Sequence, residues 1–114
     1  MFQKSSFINS VGEYAYDCMN RYDMLLRDET SDQTIRISTQ YGDLIVTEDT
    51  LVATGRGLWK RADELYIGDS LKHYIMGHAV ITGIERIKEP QHMLRLVDCQ
   101  VGYIIVEGLY ISAD

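Results

Sequence analysis

Few residues of this chain are equipped for chemistry, and their spacing decides what they can do. The imidazoles are His73, His78 and His92. His73 and His78 have opposite parity across a glycine, and neither sits in a C-x-x-C or H-x-x-x-H setting, so the spacing offers no preformed zinc site. The carboxylates Glu48, Asp49, Asp63, Glu64 and Asp69 are the candidates for paired acid and base work. Asp69 follows a turn glycine, where a carboxylate accepts backbone amides, and Glu48 and Asp49 fall in a polar link expected to face water. Their expected roles are therefore solvation and turn capping. Cys18 and Cys99 are too few for the disulfide framework of a small secreted domain, so both are read as reduced, half-buried thiols. Lys60-Arg61 and Arg56 form the basic concentration of the chain, either a docking spot for an acidic partner surface or a solvated rim. The sequence contains no G-x-S-x-G, no P-loop and no dinucleotide fingerprint. On this reading there are no catalytic, cofactor-binding or metal-binding residues, and no cofactor.

The elements that must position these groups follow from periodicity. Residues 1 to 9 read as a loose arm. Ser10-Val11-Gly12-Glu13 has the form of a capping box, and Val11, Tyr14, Ala15, Cys18, Met19, Tyr22 and Leu25 then recur at helical spacing, which predicts a helix from about 11 to 26. Arg27 to Gln33, RDETSDQ, has the composition of a loop. From 33 onward strands and turns recur about every ten residues, which predicts an all-β region after one N-terminal helix. Ile35 and Ile37 share one face of a strand that turns through Tyr41-Gly42-Asp43 into Leu44 to Val46. A long strand over 79–87 contains Gly83, as a strand does where it bends or bulges. Long bent strands let a small sheet curl over its own core. The expected division is 1–32 for arm and helix and 33–114 for the β domain.

The organising stretch is Gly42 to Leu71, GDLIVTEDTLVATGRGLWKRADELYIGDSL. Trp59, Ala62 and Leu65 follow at steps of three, a spacing that fits one helical turn pressing these side chains inward. The order of Gly42, Leu44, Val46 and Thr47, then Gly57, Trp59, Ala62, Leu65, Gly68 and Asp69, resembles the second half of the Hint (Hedgehog/intein) domain, an all-β self-processing module. Ile81-Thr82-Gly83-Ile84-Glu85 and the ending Tyr103 to Ile111 are similar to the family's last strands, so the resemblance covers roughly residues 33 to 112. It implies compact, curled antiparallel sheets of Hint-like type.

The same resemblance implies a site, and here the sequence departs from it. Splicing and Hedgehog-type domains use a Cys or Ser at the first residue, a T-x-x-H whose His assists the acyl shift and, in splicing members, a terminal His-Asn. T-x-x-H reads Thr47-Glu48-Asp49-Thr50, and a threonine cannot shuttle a proton near pH 7 as a histidine can. The terminal pair reads Ser112-Ala113, and alanine has no amide to cyclise. His78 or His92 would have to be carried to the pocket to replace the missing imidazole, and Cys18, flanked by Asp17, reads as a structural thiol.

Composition bounds the partners. The 114 residues suffice for one modest core, and 46% hydrophobic with 25% charged content is ordinary for a soluble globular domain. A formal net charge of -6 argues against nucleic acid and anionic membrane surfaces, which call for clustered Lys and Arg. The chain has no apolar window of membrane-spanning length, and MFQKSSFINS lacks the apolar core of a signal peptide, so synthesis and residence in the cytoplasm, or assembly from it, are expected. Eight Tyr against two Phe and one Trp suit either protein interfaces or the margins of a small core.

The expectation is a degenerate, free-standing Hint-like domain that is not an enzyme and has no flanking segment to splice or release. It would serve as a structural or assembly protein, such as a minor tailed-phage virion component of the head, connector or tail, with copies of itself and other subunits as partners. The alternatives are an autoprocessing domain that forms a thioester at Cys18, and a soluble cytoplasmic adaptor that binds one partner through its N-terminal helix.

Overall fold

In the computed structural model, which describes residues 1–3, 25–97 and 103–112, alternation of apolar and polar side chains resolves into eleven strands. They are β1 (Phe2–Gln3), β2 (Leu25–Ser31), β3 (Thr34–Thr39), β4 (Gly42–Thr47), β5 (Leu51–Ala53), β6 (Trp59–Arg61), β7 (Ser70–His73), β8 (Gly77–Ile87), β9 (Gln91–Val97), β10 (Tyr103–Val106) and β11 (Leu109–Ser112). All pairings are antiparallel, in the order β2-β9-β1-β4-β3-β8-β7-β11-β5-β6, with β10 on β11. The fold is mainly β and antiparallel, as the sequence predicts.

One strand holds the two halves together. The first part of β8 pairs with β7, from Gly77↔His73 to Val80↔Ser70, and the second part pairs with β3, from Ile81↔Thr39 to Ile87↔Thr34. The register shifts at Ser38/Thr39, where Thr82 is the extra residue and its hydroxyl donates to Ser38 O at 3.2 Å. The bend expected near Gly83 is this bulge, and it lets one strand serve both halves of the ladder.

Strand alternation sorts the interior into two clusters. Ile35 and Ile37 pair with Val46 and Leu44, and these four pack with Phe2, Val52, Leu71, Ile81 and the β10–β11 hairpin in the main core. The opposite face of β4 contributes Ile45 to a smaller cluster with Ile87 and Met93, against which Met1 packs. The β10–β11 turn is Glu107-Gly108, with φ of 51° and 78°. Both central residues are left-handed, as a tight two-residue hairpin requires. A Cβ at Gly108 would clash with His73 Nε2, so glycine is needed there twice over.

Three expectations need correction, and a fourth falls largely outside the described residues. Residues 1 to 9 are not loose throughout, because β1 pairs with β4 and β9 and Phe2 is only 2% exposed. Arg27 to Ser31 is not a loop. It belongs to β2, paired residue by residue with β9 from Leu25↔Val97 to Ser31↔Gln91. The polar composition misleads because among the described strands β2 ends the order, and its ladder to β9 is made by backbone groups that do not depend on the side chain. The predicted helix over 11–26 lies outside the described residues, apart from Leu25 and Leu26, which are strand. Finally, the helical turn spans Ala62–Glu64 and buries Ala62 and Leu65, whereas Trp59 belongs to β6 and is 41% exposed.

If β1 is integral to the core, Phe2→Ala should cost about 3–5 kcal/mol in a urea denaturation series, the usual loss for a buried aromatic. A loss below about 1 kcal/mol would mean that β1 contributes little to the fold.

Candidate functional site

The end of β4 and the start of β5 are joined by a tight link, closed by Thr50 N donating to Thr47 O at 3.1 Å. Its outer side is tied down by Glu48 N to Gln33 O, by Asp63 N to Glu48 O and by an ion pair between Glu48 and Arg86. The link therefore does not simply face water as the sequence reading expects. Glu48 is half-buried, and Thr47 and Thr50, at 4% and 6% exposure, are buried.

The two hydroxyls converge on the first residue of β1's own segment. The Met1 amine donates to Thr47 Oγ1 at 3.1 Å and to Thr50 Oγ1 at 2.9 Å. Thr47 N donates to Met1 O at 3.0 Å, and Thr50 Oγ1 donates to the same carbonyl at 3.0 Å. Thr47 Oγ1 donates to Asp49 Oδ1 at 2.8 Å. With both hydroxyl protons committed, the 2.8 Å contact between the two oxygens is bridged by the amine that donates to each. The Thr47 hydrogen bond holds the Asp49 carboxyl below its ordinary value of 3.8, and the Met1 ammonium and Arg61 act in the same direction against partial burial. Thr34, opposite Thr47 in the ladder and 1% exposed, adds a third buried hydroxyl, whose oxygen has no partner among the described residues.

This cluster can hold and orient a backbone amine and carbonyl. None of its hydroxyls titrates near neutral pH, and its carboxylate is fixed as an anion.

The other singled-out residues lie elsewhere. His73, 8% exposed at the end of β7, accepts at Nδ1 from Ile75 N at 3.1 Å and Met76 N at 3.0 Å, and its ring stands 5.0 Å from that of Tyr41. Its proton is thereby assigned to Nε2, facing Gly108. His78 Nδ1 is 3.5 Å from Ser70 Oγ, beside Gly55. His92 is in β9 opposite Thr30, two residues along the strand from the partner of Phe2. Asp63 and Glu64 pair with Arg61, and Asp69 Oδ2 accepts from Tyr66 N at 3.0 Å, the turn-capping role read from the sequence. Cys18, Cys99 and Ala113 lie outside the described residues. Sequence reasoning missed Met1 and Thr34. Thr34 carried no signal, and the T-x-x-T string, read for its missing imidazole, did not point to Met1.

No model of a protein family matches the sequence, and the curated proteins give no match. Solved structures do match. The TvoVMA intein superposes with a TM-score of 0.67 at 21% identity, over 78% of this chain and 59% of that one. The VidaL intein gives a TM-score of 0.63 at 13% identity, over 77% of this chain and 60% of that one. The DnaB intein from Synechocystis sp. PCC 6803 gives 0.63 at 16% identity, over 80% and 64%. The fold is the Hint fold of inteins. Within it, the chain spans about three fifths of the length of the first two inteins. The Hint resemblance of Gly42 to Asp69 is thus matched by the fold, and T-x-x-T stands in this Hint-like domain beside the end of β1.

His73 and Asp49 predict how stability varies with pH. Burial lowers the His73 pKa from its ordinary 6.5, so between the folded and unfolded values the unfolded chain binds more protons. Its contribution is complete above pH 6.5 and is lost as pH falls toward the folded value. Asp49, also lowered, loses its contribution further down, below 3.8. Equilibrium unfolding at a series of pH values should therefore show stability declining from about pH 6.5 downward. His73→Asn keeps an acceptor near the Nδ1 position and should remove the first decline. An unchanged slope in that variant would take the effect away from His73.

Proposed function

We propose that this Hint-like domain carries no self-processing activity and works as a structural or assembly module, a minor component of a larger protein assembly such as a tailed-phage virion. One observation carries the reading. Where the Hint resemblance calls for the imidazole of T-x-x-H, the Thr50 hydroxyl is buried, accepting from the Met1 amine and donating to Met1 O. A hydroxyl neither accepts nor returns a proton near pH 7, so the general acid and base of an acyl shift are missing.

The surface supports a protein-binding role. Tyr66, Ile67, Ile75 and Met76 are all more than half exposed, and exposed apolar side chains in such number are used in contacts between proteins. The acidic charge weighs against nucleic acid as the partner.

Two measurements test the reading. Intact-mass analysis of freshly purified protein should give one full-length species, unchanged by hydroxylamine or by thiol, both of which cleave a thioester. A shortened product that accumulates under either treatment would establish self-processing and overturn the proposal. Analytical ultracentrifugation should detect association with further copies or with a larger co-purifying assembly. A monomer at every concentration, with no such assembly, would contradict the structural role.

A further inference from the structure

The end of the strand order opposite β2 is β6, which among the described residues pairs only with β5. Thr54 N donates to Leu58 O and Ala62 N donates to Thr50 O, each at 2.8 Å, so residues 58, 60 and 62 turn their backbone groups toward β5. In an antiparallel pair the alternate residues must face the other way. The N–H and C=O groups of Trp59 and Arg61 therefore point out of the sheet, along an edge that no described strand covers.

Residues 58 to 60 also help to line an open cleft of about 710 Å3, whose walls include Arg56, Asp69 and His78. Its charge contrasts with that of the chain. Of the three basic residues read together in the sequence, Arg61 is taken up by a two-pronged hydrogen bond to Asp63, at 3.0 and 2.9 Å, and by Glu64. Arg56 and Lys60 have no ion pair among the described residues. The Asp69 carboxylate is engaged by Tyr66 N. A cleft holding two uncommitted cations, in a chain of formal net charge -6, is complementary to an acidic ligand and not to a second copy of the same acidic chain.

We propose that β6 and its cleft bind an extended acidic segment of a partner protein by strand addition. The open backbone groups of Trp59 and Arg61 would supply the pairing, and the side chains set the sequence preference. Leu58 and Lys60 share one face of the strand, and Trp59 lies on the other. A segment laid along β6 thus places acidic side chains on the Lys60 face and apolar ones against Trp59, in strict alternation. Short strands and edge lysines also guard against unwanted pairing. Here, however, the neighbours Leu58 and Trp59 are exposed apolar groups, which guard nothing. The inference stands apart from the assembly reading, since an edge of this kind serves any partner with the matching segment.

The test uses the full chain labelled with 15N and an acetylated, amidated heptapeptide of alternating Glu and Val. The peptide should shift the amide signals of Trp59 and Arg61, and binding should weaken by about tenfold or more in Arg56→Glu and Lys60→Glu, and fall with added salt. A peptide N-methylated at alternate residues, unable to complete the backbone ladder, should bind at least about tenfold more weakly. The proposal is overturned if neither amide shifts at millimolar peptide, or if a Lys-Val peptide binds as well. It is also overturned if the two amides are already covered by concentration-dependent self-association, which would give the edge to a second copy. A small-molecule carboxylate such as glutarate, binding the cleft as tightly as the peptide without moving the edge amides, would equally overturn strand addition.

Discussion

The continuous hydrogen bonding of β8 is the constraint on which the rest of the structure depends. Eleven residues long, it is shared between β7 and β3, so the two halves of the ladder cannot separate without unpairing it. A regular strand of that length twists but does not fold over. The extra residue at Thr82 supplies the bend, and Thr82 recovers a hydrogen bond by donating its hydroxyl to Ser38 O. Beyond the bend, Ala79 and Ile81 point into the same core as Ile35 and Ile37, and a single interior results from what would otherwise be two half-sheets.

The threonine cluster answers a different demand. The chain start reaches the interior, bringing an amine and a carbonyl that must find partners or carry a desolvation cost of about 1–3 kcal/mol each. Thr47 and Thr50 supply them from one short link, and Asp49 adds the negative charge that an ammonium needs. Phe2, next in sequence, then enters the main core while Met1 packs against the smaller one. Capture of the backbone and burial of the side chain reinforce each other, because β1 is too short to be held by its ladder bonds alone.

How much of this could be read from the sequence depends on how local the signal was. Ile35 and Ile37 alternate with polar residues, Tyr41-Gly42-Asp43 marks a turn, and Gly83 interrupts a long strand, and each of these local patterns has its counterpart in the fold. Registers did not follow, since Ile35↔Val46 is fixed by the pairing of faces across the core. β2 was hidden for a stronger reason. Its ladder to β9 is made by the backbone, and backbone groups are the same in every sequence. Trp59 misled in the opposite way, its step-of-three spacing to Ala62 and Leu65 ending in an exposed strand because the turn begins only at Ala62. The T-x-x-T string located the link, but only three dimensions bring Met1, 46 residues away, against Thr47.

The separation of faces on β4 sets the cluster of hydroxyls apart from the main core. Leu44 and Val46 point into the main core, while Ile45 and Thr47 belong to the opposite face. An exchange at position 50 leaves the inward-facing Leu44 and Val46 in place and acts on the interior through the hold of Thr50 on Met1, which precedes Phe2. The buried Thr34 hydroxyl stands opposite Thr47 without a partner of its own among the described residues, an unrepaid cost on the same face as the cluster. In a fold arranged in this way the side chains of the link and those of the interior lie on different faces of β4, and the two are coupled through Met1 and Phe2.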